Sequence, residues 1–388
     1  MISYNRTWLA NLRLQAVLKV DLSKGRISDD EYKAIDAKYP VGFYTPGVFA
    51  RIGLFIVTCI VVSFAFGLAA MVAGSGNIID SPGFPIVLGI IVYSALEVMV
   101  YANKHYRSGV DDALLYASAG TFSGAVAMMF HYGYGQNNDA AIWGIIFLLA
   151  LFLAVRFTDM LITALSGVSF FLFICFTWTR IIPSGAATVP FALMLVSAGA
   201  YWFTYANRSR YSNYENCFIV AQIVCLLVLY AAGNYYIIQT LGDELRGQIN
   251  TPVPFGGFFW AWTIGLPFAY VGFGIKRKDT ILLRTGLILI IAAALTFRNY
   301  YHILPLDVAL AVLGAILLGI AWGVMKYLKT PKHGFTYAEP KDEHAMDRLK
   351  VESLLIAESF STAPAAPTTT GTKFGGGDFG GGGSSSDF

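Results

Sequence analysis

AAIWGIIFLLALFLAVRFTDMLITALSGVSFFLFICFTWT, residues 140–179, is two apolar rods joined by the short break Phe157-Thr158-Asp159. Arg156 and Asp159 are its only charged residues. Each rod falls in the range of about 17–25 residues that carries a helix across a bilayer core. A helix that is apolar on every side has no face to turn to water, so two of them back to back point to lipid as the solvent. Working outward, the same pattern recurs at 50–73, 84–103, 111–130, 185–206, 215–239, 255–275, 280–297 and 304–327, giving ten spans with 140–156 and 160–179. Of the 388 residues 56% are hydrophobic and 13% charged, and the mean hydropathy is +0.59. That composition excludes a soluble enzyme. The expected fold is an all-α polytopic transmembrane helix bundle of about ten spans.

An even number of crossings puts both termini on one side, and the basic residues say which side it is. One set of loops holds Lys104, Arg107, Arg156, Arg208, Arg210, Lys276, Arg277, Lys278 and Arg284, while the other holds Arg180, Arg246 and Arg298. The two tails add fifteen more lysines and arginines to the first side. Short basic loops stay cytoplasmic, so both termini are expected inside, in a cell inner membrane. The net charge of +3 reads as this topology signal, and no nucleic-acid partner is expected. The first apolar run begins after about fifty residues, which does not suit a cleavable signal peptide, so the mature chain is expected to start at Met1.

Four regions follow: a cytoplasmic helical hairpin over 1–47, the membrane domain over 48–328, a cytoplasmic helix over 329–360 and a Gly/Ser-rich tail over 361–388. In the hairpin, Trp8, Leu9, Leu12, Ala16 and Val20 share one helical face, and Gly25 suits a left-handed cap. Ser28 with Glu31 forms a capping box for the second helix, and Pro40 ends it. The tail, ending FGGGDFGGGGSSSDF, has too little apolar surface to offset its ordering entropy and is expected to be disordered. The termini are the expected contact points for any cytoplasmic protein partner.

Two loops on the inner side share a signature. Tyr101, Ala102, Asn103, Lys104, Ser108 and Asp111 recur 104 residues later as Tyr205, Ala206, Asn207, Arg208, Ser212 and Glu215. Each reads as a helix end, a basic residue and a Ser-x-x-acid capping box. Duplication and a shared capping habit both account for it.

Glu97 is the most informative polar residue, since it lies about 9 Å inside the second span. Ionised and unpaired it would be costly there, so it needs a cation, a proton or a cavity. Arg284 is the expected partner and Arg107 the alternative, making either a proton or ion site or an ion pair that locks helices. On the outer side His131, Arg298, His302 and Asp307 form a candidate polar cluster, with Asp139, Asp243 and Glu244 near it. Arg298 with Asp307 most simply clasps a turn, and the histidines lack a metal-ligand spacing, so no metal is expected. Gly120 with Gly124, and Ala315 with Gly319 and Gly323, have the small-xxx-small spacing of close helix packing. Pro267 can break or kink the eighth span. The four cysteines lie in apolar runs without CxxC spacing and read as small buried hydrophobes. No nucleotide, nucleophile-elbow or dinucleotide motif is present, and no cofactor is expected.

The hairpin motif Gly25-Arg26-Ile27-Ser28-Asp29-Asp30-Glu31, followed closely by a series of spans, resembles a family of bacterial membrane proteins of unknown function that open with a helix, a G-x-[IL]-[ST]-x-[DE] turn and a second helix. The resemblance covers mainly the first seventy residues and implies a bacterial inner membrane, with no established site residue to carry over. Transport of a small solute or ion, centred on Glu97 and Arg284, is the leading expectation. A membrane scaffold or sensor that recruits cytoplasmic partners through its termini is the alternative. An intramembrane enzyme would rest on His131 and His302 alone.

Overall fold

The computed structural model describes residues 2–301 apart from 75–77, 133–137, 184 and 247–252, together with scattered positions between 308 and 326. Residues 328–388 form a separate unit outside the described residues, so the expected 329–360 helix and the tail lie there. The described part is helical: α1 Arg6–Ser23, α2 Asp29–Lys38, α3 Val48–Ala73, α4 Gly83–Tyr101, α5 Val110–Tyr132, α6 Asp139–Phe157, α7 Met160–Ile181, α8 Gly185–Arg208, α9 Glu215–Ala231, α10 Tyr235–Arg246, α11 Gly256–Arg277 and α12 Thr280–Tyr301. Nine of these are long and apolar enough to cross a membrane. The chain is an all-α, multi-pass membrane protein. The tenth expected span, 304–327, falls mostly outside the described residues.

Local chemistry explains the boundaries. Between α6 and α7, Thr158 takes a left-handed conformation (φ 51°), and the Asp159 carboxylate accepts from the Ile162 N–H. Two spans thus turn around within two residues. The hairpin forms as read: Gly25 is left-handed, and Ser28 and Glu31 satisfy each other's backbone N–H groups.

The span read over 215–239 needs correction, because α9 ends at Ala231 and α10 starts anew at Tyr235. Asn234, buried, causes the break. Its amide nitrogen donates to the Tyr230 and Thr296 hydroxyls, and its oxygen accepts from the Ile237 N–H to cap α10. Gly233 allows the turn, since a Cβ there would sit 2.1 Å from the Trp262 ring. Hydropathy saw an unbroken apolar run and missed this cap.

Sequence neighbours pack in antiparallel pairs, α4 with α5, α6 with α7, α8 with α9 and α11 with α12, and α7 also packs along α9. α3 rests on α5 and buries no residue of its own. The largest core joins Val92, Leu96, Leu114, Leu115, Ala150, Leu153 and Phe157 with Tyr4 and Leu9 of the N-terminal segment.

Among the described residues, close packing falls at other glycines than those that spacing picks out. At Gly120, Gly124, Gly319 and Gly323 nothing among the described residues lies within 4 Å of a would-be Cβ. Close approach happens instead at Gly89 on Phe122, Gly144 on Phe173 and Gly274 on the Leu283 backbone. Spacing alone cannot tell which face of a helix meets a neighbour. Pro267 is buried within a continuous α11 and does not break it.

Candidate functional site

The ends of α4, α6 and α8 and the starts of α5, α7 and α9 share one end of the bundle, here called the hairpin end because the N-terminal segment sits on it. The Ser3 N–H donates to the Arg156 carbonyl at 3.0 Å, and the Tyr44 N–H donates to the Lys104 carbonyl at 3.0 Å. The Arg13 guanidinium donates to the Asn213 side chain at 2.8 Å. Tyr4 packs edge-on against Phe43, Tyr106 and Phe157. Trp8 packs on Phe43, with the Lys104 ammonium over its ring. Residues 1–47 read as a soluble helical hairpin, and apolar length alone gives them no place against the bundle. Their first helix and the residues before it contribute Leu9 and Tyr4 to the core.

Glu97 is the centre of this contact. Arg156 reaches it with two parallel bonds, Nε to Oε1 at 2.5 Å and Nη2 to Oε2 at 2.9 Å. The Tyr93 hydroxyl donates to Oε1 at 2.7 Å, and the Ser3 hydroxyl donates to Oε2 at 3.4 Å. The expected pairing with Arg284 or Arg107 is therefore replaced. Arg284 stands near the start of α12, while the Arg107 backbone N–H donates to Asp111 at 2.8 Å and its guanidinium lies over the Tyr106 ring. Arg156 is one residue from the end of α6 and Glu97 one turn from the end of α4, so a long guanidinium stem closes the gap. Two-point recognition of a carboxylate is what arginine geometry does best. Sequence reasoning counted Arg156 only as a topology charge; its place at the same bundle end as Glu97 was the available signal. Nothing in the sequence marked Ser3.

A second set of acids lies at the same end of the bundle, at the starts of α5 and α7. Asp111, almost fully buried, accepts from the Arg107 and Ser108 N–H groups and the Ser108 hydroxyl, each at 2.8 Å. Asp112 pairs with Arg51 of α3 at 2.7 Å. The Tyr116 hydroxyl donates to Asp159 at 3.1 Å. Burial raises the Tyr4 phenol well above its ordinary value, and the nearby Asp111 charge adds to it. Burial works against the Arg107 charge, but Tyr106, Asp159 and Asp112 outweigh it and raise its pKa. The charges here are consumed in fixing backbone ends and helix contacts. Among the described residues no group of His, Cys, Asp and Glu is placed to hold a metal ion.

At the far end, Arg298 is half-buried in the last turn of α12. The side chain of His131, and His302 and Asp307, lie outside the described residues. What is described there is aromatic: Tyr235, Trp260 and Tyr300 form a cluster with ring centroids 5.0–5.4 Å apart. Such rings favour the headgroup level. No family model matches the chain, and no curated protein or solved structure matches it.

Proposed function

We propose that this multi-pass membrane protein works as a membrane-anchored sensor or scaffold whose N-terminal hairpin docks on, and is released from, its own helix bundle. The observation that carries this reading is the Glu97 clasp. Both carboxylate oxygens are occupied by α4, α6 and the leader residue Ser3 at once, which is the arrangement of a dock. α2 buries no residue and presents Asp29, Asp30 and Glu31 at its start, so the outer half of the hairpin is free to meet a partner while the inner half is held. In this reading both termini are cytoplasmic and the membrane is a bacterial inner membrane, an assignment supported by the resemblance of the motif Gly25 to Glu31 to that of bacterial membrane proteins of unknown function.

The test is limited proteolysis and cross-linking in membranes. Glu97→Gln, which keeps shape and weakens the grip on Arg156, is expected to increase cleavage within 39–47 and to change the cytoplasmic proteins cross-linked to the hairpin. Unchanged cleavage and an unchanged cross-linking pattern would overturn the reading. A second reading, movement of a small solute or ion, is favoured by polar atoms buried among the later spans and left without partners. Solute flux in proteoliposomes that persists after deletion of residues 1–45 would favour it.

A further inference from the structure

The later helices carry a polar group that the docking site does not use. Gln222 of α9 is fully buried, and neither its amide nitrogen nor its amide oxygen has a hydrogen-bond partner. The Tyr201 hydroxyl of α8 is likewise buried without a partner. Tyr201 follows Met194 and Ser197 along the buried stripe of α8 and packs against the cluster formed by Phe171 of α7 with Val224 and Cys225 of α9. The Tyr270 hydroxyl of α11 donates to the Leu226 carbonyl at 3.2 Å. At about 100° per residue, Gln222 stands between Cys225 and Leu226 around α9, the first a member of the cluster that Tyr201 packs on and the second the acceptor for Tyr270.

Depth agrees with direction. Gln222 is seven residues after the start of α9, Tyr201 seven before the end of α8, and Tyr270 seven before the end of α11. All three lie roughly 10 Å from the hairpin end. The Tyr201 and Tyr270 hydroxyls are near enough to interact electrostatically.

A primary amide buried with all its hydrogen-bonding capacity unused is costly, and proteins ordinarily meet the cost with a guest that donates and accepts. The guest's charge follows from the surroundings. The charged groups that act electrostatically on Tyr201, namely Arg208, Arg277 and Asp279, sit at the helix ends rather than within the spans, which favours an uncharged guest. A hard cation would want about six oxygens, more than one amide and two phenols supply. We propose that Gln222 and Tyr201 form a binding site, between α8, α9 and α11, for a small uncharged molecule that both donates and accepts hydrogen bonds, either water or a polyol the size of glycerol. This goes beyond hairpin docking and uses none of its residues.

The experiment is water-edited solid-state NMR on the full chain in lipid bilayers with ¹⁵N-labelled glutamine, the Gln222 side-chain signal being assigned by its loss in Gln222→Met. Rapid magnetisation transfer from water or added glycerol to that amide, at least halved in Tyr201→Phe, is the expected result. Stopped-flow light scattering of proteoliposomes then separates the sources: glycerol flux lost in Gln222→Met identifies a polyol, and its absence identifies resident water. No transfer from either molecule would overturn the proposal. So would a higher melting temperature for Gln222→Met than for the parent chain, because an apolar isostere stabilises only an unfilled site. If Gln222→Met does not fold, Tyr201→Phe, which removes one oxygen, serves alone.

Discussion

The loop between α4 and α5 and the loop between α8 and α9 share a signature 104 residues apart and fold in different ways. In the first, Asp111 accepts from the Ser108 N–H and hydroxyl, the acid's half of the expected box, and Gly109 follows Ser108 with φ +92° just before α5 begins at Val110. In the second, Ser212–Tyr214 is a 3₁₀ turn, and Glu215 turns to Arg208 at 3.2 Å rather than to Ser212. The position matching Gly109 is Asn213. A Cβ at Gly109 would stand 2.2 Å from the Arg51 carbonyl, so glycine alone lets α3 lie against this loop. Asn213 has no such neighbour to admit and instead takes Arg13 from the hairpin. One side chain, present or absent, decides whether a loop receives a membrane-length helix or the N-terminal one.

The largest effect is expected from putting the missing side chain back. Gly109→Ala combines a left-handed backbone with a clash against α3 and should destabilise by roughly 3–5 kcal/mol, read as a fall in melting temperature in detergent. Asn213→Ala at the matching position should cost under about 1 kcal/mol. Equal effects would dissolve the contrast between the loops.

The ion pairs sharpen it further. Arg156→Leu leaves Glu97 with only Tyr93 and Ser3, and since the pair is partly exposed (32% and 24%) the loss should be about 2–3 kcal/mol, at or below the low end for buried pairs. Arg208→Leu breaks the looser pair with Glu215, and its effect should be about 0–1 kcal/mol. The same melting series ranks them.

The smallest expected effect is local to α2. The Ser28 backbone N–H and hydroxyl hold Glu31 below its ordinary carboxylate value. A lowered folded value means that the stabilisation is present above the unfolded value and is lost as pH falls through the folded one. Hydrogen exchange over residues 29–38, corrected for intrinsic rates, should therefore quicken on acidification. Ser28→Ala should flatten that dependence.

Much of this was legible in order of residues. Eight of the expected spans lie where apolar length put them, another stops short at Ala231, and Ser28, Glu31 and Gly25 act as local geometry requires. The misreadings have a common cause. Glu97 was assigned to Arg284 or Arg107 because both sit near the right membrane level, yet Arg156 shares its corner of the bundle. Gly120 and Gly124 have the right spacing on a face that meets no described neighbour. Asn234 ended a span because Thr296, 62 residues away, waited to accept from it.

Crossing a membrane is a demand each segment meets alone: a helix satisfies its own backbone, and its apolar side chains answer to lipid, so composition and cap residues suffice to place it. Which helix touches which is a demand on pairs distant along the chain. Ser3 with Glu97, Gly109 with Arg51, and the unpartnered amide of Gln222 come from how rods of similar hydropathy rotate and pack, where differences of a single side chain choose among faces that hydropathy scores alike.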